Sequence, residues 1–294
     1  MRSQTPSSRA RAARRVLAGL LLTGALAVLA APATAQSLAD FEKKTTVHRL
    51  KNGWTFIIVE RPVAPVFSFA TRADVGGAQE VAGITGLAHM FEHMAFKGTD
   101  KIGTKDYAAE KAALQKIDRS YETFDRERRK KGADPAQVKA LEKAWNDAQE
   151  EAAKHVVRNE FGDIIDRQGG VGLNAYTSSD ATVYFYSLPS NKLELWAYLE
   201  SERFLRPVLR EFYKERDVVK EERRMRTESQ PVGRLIEQFL AAAYVAHPYG
   251  QPVVGHMSDL DSFSARDAEA FYRAHYIPSN MVTAVVGDVK VSEV

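Results

Sequence analysis

The sequence contains no cysteine among its 294 residues. This absence excludes disulfide bonds, a lipid-modified N-terminal cysteine and any metal site built on thiolate ligands. A bound metal ion would therefore need histidine, aspartate or glutamate as its ligands. Nothing else in the composition is extreme, because 45% hydrophobic and 27% charged residues are typical of a globular protein. The length allows one large domain or two small ones.

The first 35 residues have the pattern of a secretory signal peptide. Residues 1–15 carry five arginines and no acidic residue, residues 16–31 are apolar, and residues 33–35 (ATA) form an A-x-A cleavage sequence. The alternative, an uncleaved membrane anchor, is disfavoured by the short, small-residue-rich apolar run and by the cleavage sequence. We therefore expect an exported protein, periplasmic or secreted. The arginine pair at 14–15 leaves open whether export follows the general or the twin-arginine route.

Neither sign of charge is in large excess once that segment is removed. Lys plus Arg falls from 41 to 36 while Asp plus Glu stays at 38, so the formal net charge changes from +3 to −2. The mature chain, residues 36–294, therefore lacks the basic surplus typical of nucleic-acid binding. We expect neither a nucleic-acid partner nor a membrane contact after signal cleavage.

Strands and helices follow one another irregularly along the mature chain. Asn52-Gly53 between two apolar runs predicts a β-hairpin, and β-branched and aromatic residues predict the other strands. This order indicates an α+β fold rather than the regular alternation that builds a parallel sheet. The predicted strands are 47–50, 54–59, 66–75, two within 172–188 and 281–286, and the predicted helices are 191–205, 211–228, 232–246 and 265–275.

Residues 106–159 form a charged segment with helical periodicity. Apolar residues recur at steps of three and four in two series, and Asp134-Pro135 between them is a typical helix start. We predict two antiparallel helices that pack along one apolar seam and are charged outside, and we interpret the segment as a solvated structural hairpin. The two series are Leu114, Ile117, Tyr121 and Phe124, and Leu141, Trp145, Ala148 and Ala152.

The most informative stretch is HMFEH, residues 89–93. Residues four apart lie on one face of a helix, so His89 and His93 can direct their imidazoles at one ion, with Glu92 at the border of that face. Apolar neighbours indicate a buried helix, where unpaired polar groups are costly. A zinc ion would satisfy them, and a glutamate beside a zinc-bound water is a typical general base. The alternative is coincidence, which composition alone would produce about one time in a hundred.

A catalytic zinc of this kind needs a third protein ligand. The best candidates lie in FYKERDVVKEERRMRTE, residues 212–228. Val218 and Val219 indicate the inward face of this helix, and Glu215 and Glu222 lie three and four positions from them on that face. A core-facing glutamate is unusual unless it is paired or binds metal. The alternative is a solvated helix face, which is the usual meaning of such a charge run.

HMFEH followed by ERDVVKEE resembles the inverted-motif zinc metallopeptidases, the family of pitrilysin, insulin-degrading enzyme and mitochondrial processing peptidase. The resemblance covers roughly residues 45–294 and includes GLNAYTSSDATVYF, HPYGQPVVGHMSDL and YIPSNMVTAVVGDV. It implies one zinc ion bound by His89, His93 and Glu222. It also implies that Glu92 is the general base on a zinc-bound water and that Glu215 supports the site. Asn174, Ala175 and Tyr176 would belong to a substrate-binding edge strand.

The same resemblance implies the architecture. We expect an α+β fold with a mostly antiparallel sheet covered by helices, which is the first-domain half of the pitrilysin-like fold. Residues 36–294 would be the N-terminal catalytic domain, and 106–159 an inserted helical hairpin like that of bacterial secreted members. His93 and Glu222 are 129 positions apart, which is above the family's usual spacing, and this hairpin would account for the excess. The last helix of that domain and a second domain would lie beyond the chain.

The function implied by the resemblance is that of a zinc-dependent endopeptidase acting on extended or unfolded peptides. A peptide would add as a further strand along the edge strand. A second copy of the chain, or a related peptidase-like subunit, would complete the chamber. The alternative is a non-catalytic peptide-binding or assembly subunit that partners an active peptidase, and an inactive fragment is compatible with either. Such subunits usually lose the motif, which is intact here, so the endopeptidase is favoured.

Overall fold

The computed structural model, which describes residues 38–294, contains a six-stranded sheet. Its strands in chain order are β1 Thr45–Arg49, β2 Thr55–Glu60, β3 Val66–Ala73, β4 Val171–Thr177, β5 Thr182–Pro189 and β6 Met281–Gly287. The spatial order is β1-β2-β6-β3-β5-β4. Neighbouring strands are antiparallel except β2 and β6, which are parallel. The sheet is therefore mostly antiparallel, as expected, and β4 lies at one of its edges.

Ten α-helices accompany the sheet in the part of the chain that the structure describes. They are α1 Leu38–Lys43, α2 Leu87–Met94, α3 Tyr107–Arg128, α4 Pro135–Ala153, α5 Glu160–Arg167, α6 Leu193–Leu205, α7 Phe212–Arg223, α8 Pro231–Ala243, α9 Met257–Leu260 and α10 Ala265–His275. A π-helical turn, Arg224–Glu228, follows α7. Residues 45–294 form the second of two compact units, and α1 belongs to the first.

The predicted elements are present in the second unit. At the β1–β2 turn, Gly53 has a φ of +98°, and the amide of Trp54 donates to Oδ1 of Asn52 (3.1 Å). The helix predicted at 211–228 changes to the π-helical turn after Arg223, where the amide of Ser229 donates to the carbonyl of Arg224 (2.8 Å). Helix α5 was not predicted. The residue that precedes it is Asn159, whose φ of +56° could not be predicted from the sequence. The predicted signal peptide lies outside the described residues.

The two helices predicted within residues 106–159 pack against each other. Asp106 accepts a hydrogen bond from the amide of Ala109 (3.1 Å), which caps the start of α3. Asp134 caps α4 in the same way, with Pro135 at the first helical position. Between the helices, the ring of Trp145 stacks on that of Phe124, with centroids 5.4 Å apart. The seam is apolar as the periodicity predicted.

Strand β3 shows how the sheet separates core from solvent. Phe67, Phe69 and Ala73 are buried, whereas Ser68 and Arg72 between them are exposed. Because successive side chains of a strand point to opposite faces, one face of the sheet carries the core. Helices cover that face, and the predicted fold class is confirmed.

Helix α8 differs from the other long helices because none of its residues is buried. Its apolar side chains recur at helical spacing, and Val232, Leu235, Ile236 and Phe239 are between 52% and 68% exposed. A stripe of large apolar side chains in contact with solvent is typical of a surface that binds another protein or domain. Among the described residues, no helix has the length and apolar character needed to cross a membrane.

Candidate metal centre and substrate cleft

Helix α2 is held at its first turn by Glu80. The carboxylate oxygens of Glu80 accept hydrogen bonds from the amides of Gly86 and Ala88, both at 2.7 Å. Such acceptors satisfy amides that have no partner inside the helix. Gly86 has a φ of +96°, and a Cβ there would lie 2.7 Å from the carbonyl oxygen of Val254. Glycine is therefore required where the metal-motif helix starts.

Helices α2 and α7 bring three candidate ligands together. Nε2 of His89 lies 3.5 Å from Oε2 of Glu222, and Nε2 of His93 lies 3.4 Å from the same oxygen. The ligand atoms of the three residues all lie within 4.8 Å of one another. His89 is buried, and the side chain of Glu222 is only 13% exposed. The structure thus places on one spot the three residues that the resemblance named as metal ligands.

This donor set fits a zinc ion. Zinc binds imidazole nitrogen and carboxylate oxygen at about 2.0–2.2 Å, so two ligands of a tetrahedral ion lie roughly 3.3–3.6 Å apart. The observed separations of 3.4 and 3.5 Å fall in that interval. Two imidazoles and one carboxylate also leave one tetrahedral position free, which distinguishes a catalytic zinc site from a structural one.

Glu92 lies next to the three ligands. Its Oε2 is 4.0 Å from Nε2 of His89 and accepts a hydrogen bond of 2.6 Å from the hydroxyl of Thr177. Burial raises the pKa of Glu92, and the hydrogen bond from Thr177 opposes that rise. Thr177 is the last residue of β4. The edge strand therefore fixes the carboxylate that the sequence marks as the general base.

Glu215 holds His93 from the other side of the ring. Nδ1–H of His93 donates to Oε1 of Glu215 (2.9 Å), while Nζ of Lys97 contacts Oε2 (2.6 Å). Burial would raise the pKa of Glu215, but its bonds with His93 and Lys97 outweigh burial and lower that pKa to about 2. An ionised acceptor at Nδ1 keeps a proton on that nitrogen, so a metal ion would bind His93 through Nε2, the nitrogen on the side of Glu222.

The two histidines differ in their proton affinity. Burial and, to a smaller extent, the nearby charge of His93 together lower the pKa of His89 to about 4. Burial also acts against a charge on His93, but hydrogen bonds with Glu215 and Glu222 raise its pKa to about 9. The bond from His93 lowers the pKa of Glu222. Because a metal binds neutral imidazole, binding here would release the His93 proton.

The predicted substrate residues lie on the edge strand, but they differ in where they face. Asn174 and Ala175 line a cleft of about 530 Å³ together with Glu92 and His93. Tyr176 does not line this cleft, and it is 52% exposed.

One detail of the sequence argument is wrong. Val219 is fully buried, but Val218 is 47% exposed and does not belong to the inward face. Glu215, Val219 and Glu222 follow one another at steps of four and three and so share a helix face, whereas Val218, one position before Val219, is turned away from the centre of that face.

The sequence argument also missed three residues that contact the candidate site. These are Thr177 beside Glu92, Lys97 beside Glu215, and Arg226, whose guanidinium lies 2.5 Å from Oε1 of Glu222. Strand alternation places Thr177 on the same face as Ala175, and that was the available signal for it. The contacts of Lys97 depend on how α2 packs on α7, which no local pattern encodes.

Comparison with known proteins gives consistent matches. Residues 55–128 and 135–256 match the sequence profile described as Insulinase (Peptidase family M16), and residues 262–294 match one described as the Peptidase M16 inactive domain. The zinc protease PqqE of Helicobacter pylori is 30% identical over 272 residues, which cover 92% of this chain and 48% of that protein. The chain thus spans about half the length of the curated relatives it matches.

Solved structures show the same fold. A protease from Helicobacter pylori superposes with a TM-score of 0.64 and 29% identity, over 85% of this chain and 48% of that one. The periplasmic protease PqqL from Escherichia coli gives a TM-score of 0.61 over 85% of this chain and 23% of that one. At 21% identity, the second likeness concerns the fold alone.

Proposed function

Because the chain belongs to the insulinase family of peptidases, family M16, we propose that it is a zinc-dependent endopeptidase acting on extended or unfolded peptides. The observation that carries the proposal is that Oε2 of Glu222 lies 3.4–3.5 Å from Nε2 of both His93 and His89, all three ligand atoms lying within 4.8 Å of one another, with Glu92 beside them. Relatives named zinc proteases support it.

Each residue has a role in the proposed reaction. Zinc held by His89, His93 and Glu222 would supply Lewis acidity, which polarises a peptide carbonyl and lowers the pKa of water. Glu92 would take a proton from the attacking water and deliver it to the leaving amine nitrogen. Its Oε2 is engaged by Thr177, so Oε1 is the oxygen left to carry that proton. Glu215 would keep the ring of His93 in its ligand orientation.

The substrate would bind to the free edge of β4. This strand pairs with β5 on one side only, so its other side offers main-chain donors and acceptors to an added strand. Main-chain pairing requires an extended peptide backbone and depends little on the side chains. Unfolded peptides of varied sequence would therefore be the substrates. Asn174 and Ala175 line the cleft with Glu92, so a peptide paired there would pass the proposed base.

We also propose that a second peptidase-like domain or subunit packs against this one. The chain covers 48% of the Helicobacter pylori relative, and the apolar stripe of α8 is exposed. That partner would be another copy, a related subunit or a further domain, and it would exclude water from the cleft. Export to the periplasm is proposed from the pattern of residues 1–35 and from the periplasmic Escherichia coli neighbour.

The test compares the purified chain with its Glu92→Gln variant on a pool of unstructured peptides with zinc present. We expect the variant to keep zinc, because Glu92 is not among the three ligands, and to lose nearly all cleavage. Turnover by the variant at the rate of the unaltered protein would contradict the proposal.

A second pair of variants tests the ligand set. Glu222→Ala should lose zinc affinity, whereas Glu221→Ala, whose side chain is 58% exposed on the same helix, should not. Equal zinc content in both would show that Glu222 is not a ligand. Zinc retained without any cleavage by the unaltered chain would favour the alternative, a peptide-binding subunit that needs an active partner.

A further inference from the structure

The cleft beside the candidate metal centre has a wall formed by the end of the helical hairpin and the start of α7. The segment that follows α4 supplies Val156, Val157, Arg158 and Asn159, and the start of α7 supplies Glu211 and Lys214. Backbone hydrogen bonds fix this segment, since the amide of Lys105 donates to the carbonyl of His155 (2.8 Å) and that of Val157 to the carbonyl of Gly103 (3.0 Å). The wall is therefore part of the folded structure.

Backbone strain is concentrated at this wall. In residues 38–294, the non-glycine residues with positive φ are Asn159 and Glu211, both at +56°, and both line the cleft. Asparagine tolerates this conformation, whereas glutamate adopts it at a cost. Strained residues that persist often serve a functional site. At Glu211 the strain directs a carboxylate, only 12% exposed, into the cleft wall.

Cations outnumber carboxylates at this end of the cleft. Glu211 contacts Lys214 at 3.1 Å, Lys97 at 3.6 Å and Arg158 at 4.0 Å. Lys97 is also bound by Glu215, which leaves Lys214 and Arg158 to share the single charge of Glu211. Their side chains are 60% and 73% exposed, so both can turn toward a bound molecule.

A further arginine in the lining does not add to this surplus. The guanidinium of Arg210 is buried and paired with the carboxylate of Glu110, which neutralises its charge. The lining also includes the apolar side chains of Phe96 and Val157, which suit the aliphatic stem of a substrate side chain. The hairpin end of the cleft thus combines apolar side chains with unshared positive charge.

We propose that this wall selects peptides that carry a carboxylate, and that Arg158 and Lys214 determine the selection. The inference rests on the proposed function, since it names a substrate preference for the same cleft. A basic side chain would have to displace Arg158 or Lys214 from Glu211, whereas an acidic group pairs with the unshared charge. The carboxylate can belong to an internal Asp or Glu, or to the C-terminus of the peptide.

The test measures peptide binding by fluorescence anisotropy, using the Glu92→Gln chain loaded with zinc so that no turnover is needed. One peptide pair differs by an internal Glu or Gln with both ends blocked. The other pair has a free or an amidated C-terminus. We expect one carboxylate peptide to bind about three- to tenfold more tightly than its neutral partner at low salt, as for two exposed ion pairs. The preference should shrink in 1 M salt.

Variants decide which residues are responsible. Arg158→Gln combined with Lys214→Gln should abolish the preference, and Arg158→Glu with Lys214→Glu should favour a Lys-containing peptide. Lys143→Gln is the matched control, because that lysine is 75% exposed on α4 and pairs with Asp147. Equal binding within both peptide pairs, no peptide binding, or a preference that survives in the double variant would overturn the inference. Selective binding without cleavage by the unaltered chain would instead count against the proposed peptidase activity.

Discussion

The hydrogen bond from Thr177 to Glu92 offers a sensitive test of how the edge strand and the proposed base work together. Replacing Thr177 by valine removes the hydroxyl but keeps the shape and volume of the side chain. Oε2 of Glu92 then loses its 2.6 Å donor in a site where its side chain is only 15% exposed. The carboxylate is free to rotate away from the orientation in which Oε1 faces the attacking water.

The size of the effect follows from the strength of that bond. A hydrogen bond to a charged group contributes about 1.5–3 kcal/mol, and the partial exposure of this pair reduces it to about 1–2 kcal/mol. If the bond holds the productive orientation, kcat should fall roughly 5- to 30-fold, at about 1.36 kcal/mol per factor of ten. The KM for peptides should change little, because the main-chain groups of β4 remain.

The assay is steady-state cleavage of an unstructured peptide, with zinc content measured on the same samples. Thr177→Ser keeps the hydroxyl and should retain most of the activity. Thr123→Val is the matched control, since the Thr123 hydroxyl bonds only the carbonyl of Arg119 on its own helix (2.9 Å). A Thr177→Val variant with full zinc content and a kcat within twofold of the unaltered chain would refute the reasoning.

Two further predictions concern stability. Arg210, which precedes α7, and Glu110 on α3 form a buried ion pair with side chains 1% and 0% exposed, and the Arg210 guanidinium also donates to carbonyls of the loop after α2. Arg210→Met should lower the free energy of unfolding by about 3–5 kcal/mol in urea titrations, and adding Glu110→Leu should restore part of it, because an unpaired buried charge is the main cost. A loss too small to measure would contradict this. Glu80 tests pH dependence: burial raises its pKa from 4.5 to about 8, although the Ala88 and Gly86 amides oppose the rise. A raised acid pKa means that the folded state binds the proton more tightly than the unfolded state does. The stability that this proton adds is therefore complete below pH 4.5 and is lost as the pH rises to about 8. In the Glu80→Gln variant the free energy of unfolding should therefore fall less steeply over that pH interval. Identical curves of unfolding free energy against pH for the variant and the unaltered protein would count against this prediction.

Much of the fold could be predicted because local patterns agree with tertiary packing. Asn52-Gly53, the alternation along β3 and the caps at Asp106 and Asp134 each encode an element within a few residues. The order of strands in the sheet could not be derived from such patterns. Strand β6 pairs with β2 and β3 from more than two hundred positions away, and no short-range signal shows that β4 ends at an edge.

The sequence allowed the candidate ligands of the metal site to be predicted, but not all of the residues that surround them. His89 and His93 share a helix face by spacing alone, so their convergence is a local property. Glu222 required a choice between two core-facing glutamates, and the structure distinguishes them by distance. Glu222 Oε2 faces both Nε2 atoms, whereas Glu215 reaches Nδ1 of His93. That distinction depends on the packing of α7 against α2.

The helical hairpin belongs both to the fold, which local patterns predict, and to the surroundings of the candidate site, which they do not. It occupies 54 of the 129 positions from His93 to Glu222, yet its return segment, residues 156–159, lines the cleft beside His93. An insertion that served only as a solvated surface would have no need to place Arg158 in the cleft wall, next to a strained Glu211. The hairpin's seam is apolar and its outer face charged, so its stability does not depend on this contact. We therefore regard the return segment as the part through which the hairpin acts on substrate choice.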